Sequence, residues 1–132
     1  MNPMIYYAKT DKEWFPGYSD YEKDRPGTTF YADFRVAEPF GMPSIKETYG
    51  RVLKEWGRNA KYWTEVTLVL NRLCWIWNGN SEEWTRRGDD DKAAQCAEIS
   101  KLYSDLYYAA RAHGDETFTD EADSYHFNGV LD

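Results

Sequence analysis

The chain has 132 residues, 42% of them hydrophobic and 17% aromatic, and this length favours one domain around one core. The formal net charge is -7, and residues 82–132 hold 13 of the 23 acids but only 5 of the 16 bases. This balance disfavours direct binding to nucleic acid, because phosphates require neutralising lysines and arginines. An acidic face would attract a basic partner surface, although acidic surfaces also serve solubility alone.

The two cysteines, Cys74 and Cys96, lie in apolar helical patterns without metal-ligand spacing. We therefore expect free thiols in a reducing cytoplasm. The N-terminus lacks the charged start and apolar run of a signal peptide. The most hydrophobic stretch, Val66–Trp77, is too short to span a bilayer, so we expect a cytoplasmic protein without a membrane partner.

Residues 1–28 are rich in aromatic side chains without a steady period, and Pro-Gly pairs interrupt them. They predict an irregular arm laid over the helices, with a short extended piece near Ile5–Ala8. Residues 29–132 then form a helical bundle, and both parts belong to one domain, 1–132.

Residues 29–41 leave two interpretations open. Phe30, Ala32, Phe34 and Val36 alternate as in a strand, whereas Phe30, Phe34, Ala37 and Gly41 follow a helical stripe. We prefer the helix, because Thr29 could cap it.

The next helix is predicted to begin with a capping box at Ser44 and Glu47 and to end in a left-handed Gly57. Asn59 can cap the following helix at once. Because this connection is so short, it predicts that the two helices form an antiparallel hairpin.

The third predicted helix, about Ala60 to Trp77, is apolar on most faces and belongs in the centre of the bundle. Asn71 and Asn78 are expected to satisfy buried backbone groups there. A connection punctuated by Gly79 and Gly88 follows.

The fourth predicted helix runs from about Asp90 to His113. Its inner stripe consists of Ala93, Cys96, Ile99, Tyr103, Leu106, Ala110 and His113. Tyr107 borders this stripe, and Tyr108 lies on the outer side. A short final helix, Asp120 to Phe127, would complete a mainly α, small bundle of four to five helices.

The sequence contains none of the motifs that mark a nucleophile elbow, a zinc protease, a phosphate loop or a dinucleotide site. The only histidines, His113 and His126, have no acids at telling spacings. The acids Asp89–Asp91 suit a helix N-terminus, but their spacing is not that of a calcium loop. We therefore expect no enzyme, no metal and no cofactor.

Three segments carry a resemblance: WTEVTLVLNRLCWIW, EISKLYSDLYYAA and the terminal YHFNGVLD. Together they resemble a family of small uncharacterised proteins of phages and mobile elements of gut bacteria, over about Phe30 to Asp132. Residues 79–94 look like a variable insertion between the matching blocks. The resemblance carries no assigned activity and no functional residues. It implies a context in which accessory proteins bind and inhibit host machinery, including defence nucleases.

These observations predict a non-enzymatic accessory protein that binds a basic protein partner, in its sharpest form an anti-CRISPR-like acidic inhibitor that imitates nucleic acid. The expected partner-binding residues are Glu82, Glu83, Trp84, Asp89, Asp90, Asp91, Asp105 and Tyr108. Further acids that a mimic could present are Glu98, Asp115, Glu116, Asp120, Glu121 and Asp123. The alternative is a self-associating structural helical protein, with Trp84 and Tyr108 as exposed anchors of a homo-oligomer.

Overall fold

A computed structural model of the chain describes residues 7–9 and 26–117. In chain order they form α1 (Pro26–Ala37), a 3-10 turn (Glu38–Phe40), α2 (Met42–Trp56), α3 (Ala60–Arg86) and α4 (Asp90–Thr117). The predicted mainly α bundle is confirmed, and the described ranges contain no strand. The predicted final helix and most of the arm lie outside the described residues.

Residues 26–37 form a helix, so the preferred interpretation of this segment is confirmed. The predicted cap at Thr29 and the predicted end of the irregular arm at residue 28 are wrong, because the helix already begins at Pro26. Phe30 and Phe34 are fully buried and Ala37 nearly so, at the helical spacing that the stripe predicted. The helix gives way to the 3-10 turn at Glu38, because the proline that follows disfavours an α conformation for the residue before it.

The capping box predicted at Ser44 is wrong. Helix α2 begins two residues earlier, at Met42, after Gly41 with φ +98°, and no side chain caps it. Pro43 lies in the first turn, where its missing N–H removes no helical hydrogen bond, so it favours this earlier start.

The corner between α2 and α3 contains one correction and one confirmation. Gly57 has φ -68°, so the predicted left-handed end is wrong. A glycine is needed here because a larger residue would clash: an added Cβ would lie 2.4 Å from the Leu53 carbonyl oxygen and 3.2 Å from His113 Nε2. Asn59 caps α3 as predicted: its Oδ1 accepts the backbone N–H groups of Lys61 and Tyr62 at 3.0 and 3.2 Å.

The predicted antiparallel hairpin of α2 and α3 is wrong. Helix α2 packs mainly against α1 and the 3-10 turn, whereas α3 lies along α4. Near the corner the rings of Trp56 and Tyr62 meet edge to face, with centroids 4.8 Å apart. Beyond this corner α3 packs on α4 and α1, so α2 does not run along it.

Helix α3 has 27 residues and runs nine residues past its predicted end, so the connection predicted from Gly79 is wrong. A glycine inside a helix costs about 1 kcal/mol relative to alanine. Packing beyond it offsets this cost. Asn80 is fully buried, Ser81 Oγ donates to the Ala93 carbonyl at 2.8 Å, and Trp84 packs against the core.

The turn from α3 to α4 is a Schellman motif at Gly88, which has φ +83°. Gly88 N–H donates to the Thr85 carbonyl and Asp89 N–H to the Trp84 carbonyl, both at 3.0 Å. Asp89 then caps α4, its Oδ1 accepting Lys92 N–H at 3.1 Å. The three-residue turn makes α3 and α4 a long antiparallel pair.

The core lies between all four helices, with Ile45 and Val52 of α2 fully buried in it, and it is filled largely by aromatic side chains. Trp63, Trp77 and Tyr103 are fully buried, and Trp63 Nε1 donates to the Ala110 carbonyl at 2.6 Å. The predicted inner stripe of α4 is confirmed at Ala93, Cys96, Ile99, Tyr103 and Ala110, and Leu106 and His113 are half-buried. Among the described helices, none is both long and apolar enough to cross a membrane.

Candidate functional site

The most unusual polar group of the fold is the carboxylate of Glu38, which is fully buried in the core. Its Oε2 accepts hydrogen bonds from Tyr103 Oη at 2.5 Å and Trp77 Nε1 at 3.0 Å. Its Oε1 accepts from Arg35 Nη1 at 2.7 Å and Tyr7 Oη at 2.8 Å. Four donors thus satisfy a charge that would otherwise be costly to bury.

Burial is the main influence on the pKa values of Glu38 and Tyr103. Desolvation raises the pKa of Glu38 above its ordinary value, although Arg35 and the three other donors favour the charged form. Burial and the neighbouring Glu38 carboxylate raise the pKa of Tyr103 well above 10. Tyr103 therefore holds its proton and serves as a hydrogen-bond donor.

The Glu38 carboxylate is closed to external molecules by Tyr7. The Tyr7 ring packs on Trp77, at 4.9 Å between centroids, and on the Arg35 guanidinium, 4.8 Å from the ring centre. Any substrate that reached the carboxylate would have to displace Tyr7 first. The cluster therefore joins four segments of the chain rather than forming an open reaction centre.

The residues after Tyr7 are also seated on α3. Asn80 Oδ1 accepts the backbone N–H groups of Ala8 at 2.9 Å and Lys9 at 3.2 Å. Arg87 Nη2 donates to the Ala8 carbonyl at 2.9 Å, and Lys9 Nζ lies 3.7 Å from Glu83 Oε1. An arm laid over the helices is therefore observed for residues 7–9, although Ala8 lies in a bend and not in the predicted extended piece.

The structure brings three of the predicted partner-binding residues onto one face of α4. We call this face the outer stripe; its residues are Asp91, Ala94, Glu98, Lys101, Asp105, Tyr108, Ala112 and Asp115. All eight are exposed, and they follow one another at alternating steps of three and four. The stripe is about 36 Å long at 1.5 Å per residue. Its members among the predicted residues are Asp91, Asp105 and Tyr108.

The other predicted partner-binding residues are placed differently. Glu82 is exposed on α3 and accepts a hydrogen bond from Asn78, and Asp90 is exposed beside the outer stripe. Asp89 is half-buried as the cap of α4. Glu83 forms ion pairs within the chain, because Arg86 lies 2.8 Å and Arg87 3.2 Å from its carboxylate oxygens. The hydrogen bond from Arg86 lowers the pKa of Glu83, against the effect of its desolvation.

Trp84 does not have the exposure predicted for an anchor. It is half-buried against the core, with Lys92 Nζ 4.5 Å and Arg87 Cζ 5.1 Å from its ring centroid. The extension of α3 turns this side chain inward and the two cations cover it. Tyr108, in contrast, is 62% exposed as predicted.

Two buried polar residues were not predicted from the sequence, Glu38 and Asn80. The asparagines expected to be buried, Asn71 and Asn78, are only half-buried, whereas Asn80 is the one that binds backbone N–H groups. Both missed residues occupy positions of apolar stripes, Glu38 four residues after Phe34 and Asn80 three after Trp77. A polar residue in a core position was the signal that could have identified them.

The remaining reactive groups are dispersed. Cys74 and Cys96 are not joined in a disulfide. His113 Nε2 lies 3.1 Å from the Gly57 carbonyl oxygen, and its ring packs on Trp63 with centroids 4.7 Å apart. His126 and the acids Asp120, Glu121 and Asp123 lie outside the described residues. Within residues 7–9 and 26–117, no three histidines, cysteines or acids are grouped as a metal site would require.

Comparison with known proteins gave no relative: no family model, no curated protein and no solved structure matches the chain.

Proposed function

We propose that this chain is a non-enzymatic binding protein that docks a basic protein surface on the outer stripe of α4. The observation that carries the proposal is the exposed Tyr108 in a stripe that holds four acids and one base. Lys101 pairs with Asp105 at 3.0 Å, so the other acids, Asp91, Glu98 and Asp115, give the face its net negative charge. A tyrosine among carboxylates suits a partner that offers both basic and apolar contacts.

The finer form of the proposal is inhibition of a host nucleic-acid-processing complex. It is supported by the length of the acidic stripe, which suits an elongated basic cleft. A duplex oligonucleotide should then compete with this chain for the captured partner. Undiminished capture in the presence of excess duplex would limit the proposal to its coarser form.

Affinity capture from an extract of the source cells tests the proposal, with the bound protein identified by mass spectrometry. Tyr108→Ala should weaken capture at least about tenfold, as expected for an anchor residue. Trp75→Ala is the matched control, because Trp75 is 58% exposed on α3 and equally able to attract proteins nonspecifically. Equal losses in both variants would contradict the assignment to the outer stripe.

A charge-reversal pair tests the electrostatic part. Glu98→Lys places a lysine within the outer stripe, and Glu55→Lys makes the same change at an exposed site of α2. We expect only Glu98→Lys to weaken binding, and we expect binding to fall as salt rises from about 50 to 500 mM. Binding that is insensitive to both would contradict a basic partner.

A second candidate function, self-association, is favoured by the exposed Val36 and Phe40. They are 70% and 67% exposed and line a groove of about 280 Å³ between α1 and α2. Such adjacent apolar side chains suit an interface between copies. Sedimentation at rising concentration tests this: Phe40→Asp should abolish any dimer, and a monomeric wild-type chain would remove the candidate.

A further inference from the structure

The seat of Tyr7–Lys9 has the organisation of a peptide-recognition site. Three consecutive residues each contribute a different kind of contact to the helices beneath them. The Tyr7 ring packs on both Trp77 and Arg35, and its hydroxyl donates to Glu38. An aromatic side chain with a hydroxyl is therefore selected at the first position by both shape and hydrogen bonding.

The second position selects a small side chain. Ala8 is only 8% exposed, so a larger residue has no room without moving α3 or the segment itself. Its backbone is held from both sides, because Asn80 Oδ1 accepts its N–H and Arg87 donates to its carbonyl. Contacts to the backbone provide affinity, whereas the closed space provides selection.

The third position selects a cation. Lys9 N–H shares Asn80 Oδ1, and its ammonium lies 3.7 Å from Glu83. Glu83 is only 16% exposed and is held in place by Arg86 and Arg87. The carboxylate is thus oriented before a ligand arrives.

From these contacts we infer that α1, the 3-10 turn and α3 form a recognition site for a short, bent peptide with the pattern tyrosine, small residue, lysine. The chain's own Tyr7–Lys9 occupies this site as a built-in ligand. A partner peptide with the same pattern binds there by displacing it. Because the tethered segment competes at an effective concentration in the millimolar range, an external peptide binds the intact chain weakly. This site is separate from the outer stripe of α4 and does not depend on the function proposed for it.

The test opens the site in the full-length chain. Ala8→Trp expels the internal segment by size and leaves every residue of the receiving surface unchanged. The probe is a synthetic heptapeptide of residues 5–11, IYYAKTD, labelled with fluorescein at its C-terminus and followed by fluorescence anisotropy. We expect at least about tenfold tighter binding to Ala8→Trp than to the wild type. Equal affinity for the two chains, or no binding to Ala8→Trp, would overturn the inference.

Two further measurements locate the peptide. A heptapeptide with alanine in place of the tyrosine that corresponds to Tyr7 should lose binding to Ala8→Trp; unchanged affinity would contradict the tyrosine slot. Arg87→Ala, added to Ala8→Trp, removes the donor to the peptide carbonyl together with one of the two arginines that orient Glu83. We expect about a tenfold loss, as for a hydrogen bond to a charged group. Full retention of affinity would contradict the site.

Discussion

The phenol of Tyr103 on α4 donates a hydrogen bond to the carboxylate of Glu38, which lies 65 positions earlier in the chain, across 2.5 Å. Both side chains are fully buried, so this bond has no contact with water. It joins the 3-10 turn to the far helix of the bundle through a single pair of polar atoms. The stability of the domain should therefore depend on it.

Tyr103→Phe removes this donor without changing the shape of the core. We expect the free energy of unfolding to fall by about 1–3 kcal/mol, because a buried carboxylate loses one of its partners. Urea unfolding followed by circular dichroism measures the change. Tyr108→Phe is the matched control, since its ring is exposed, and it should change stability little. Equal stability of Tyr103→Phe and the wild type would contradict the role of the bond.

Glu38 should also give the protein a specific dependence on pH. Burial raises the pKa of Glu38 in the folded state, so its contribution to stability is fully present below the unfolded value of about 4.3 and decreases as pH rises through the folded value. Glu38→Gln cannot titrate. The stability difference between wild type and Glu38→Gln should therefore shrink from pH 4 to pH 7. A difference that grows over this range would show that the folded pKa is lowered.

Gly57 and Gly50 differ in the room that each leaves for a Cβ atom, so alanine substitutions at the two positions test close packing and not backbone freedom. An alanine Cβ at Gly57 would meet the Leu53 carbonyl oxygen and His113, whereas nothing lies within 4 Å of a Cβ at Gly50. We expect Gly57→Ala to lower the free energy of unfolding by about 1–3 kcal/mol. Gly50→Ala, inside helix α2, should raise it by about 0.5–1 kcal/mol. Thermal unfolding of both variants measures these changes in stability. A stabilising Gly57→Ala would contradict the close approach of α4 to Gly57.

The two cysteines should differ in reactivity. Cys96 is only 1% exposed, whereas Cys74 is half-buried. Burial also raises the pKa of the Cys96 thiol to about 11. Because the thiolate is the reactive form, iodoacetamide at pH 8 should label Cys74 well before Cys96. Peptide mapping by mass spectrometry measures the labelling rate of each cysteine, and the Cys74→Ser variant allows the rate of Cys96 to be measured alone. Labelling of Cys96 in that variant as fast as an exposed thiol would contradict its burial.

The features predicted correctly from the sequence depend on neighbours in the chain. The cap at Asn59 and the inner stripe of α4 follow from spacings of two to four residues. The helix through Gly79 was missed because a local breaker is outweighed by contacts that only the folded chain makes. The Glu38 cluster was missed for a related reason: its partners at Tyr7, Trp77 and Tyr103 are 31, 39 and 65 residues away, and no local pattern encodes such distances.

The long α3–α4 pair implies an order of folding. Its helices are joined by a three-residue turn, so the pair can form from contacts between nearby parts of the chain, and such contacts form fast. Glu38 loses its water only when α1 docks on this pair, and that step brings together segments much farther apart. We therefore expect native-state hydrogen exchange to show α1 opening before α3 and α4. The burial of Glu38 would then be the last step of folding, since its carboxylate cannot stay in the core without its four hydrogen-bond donors.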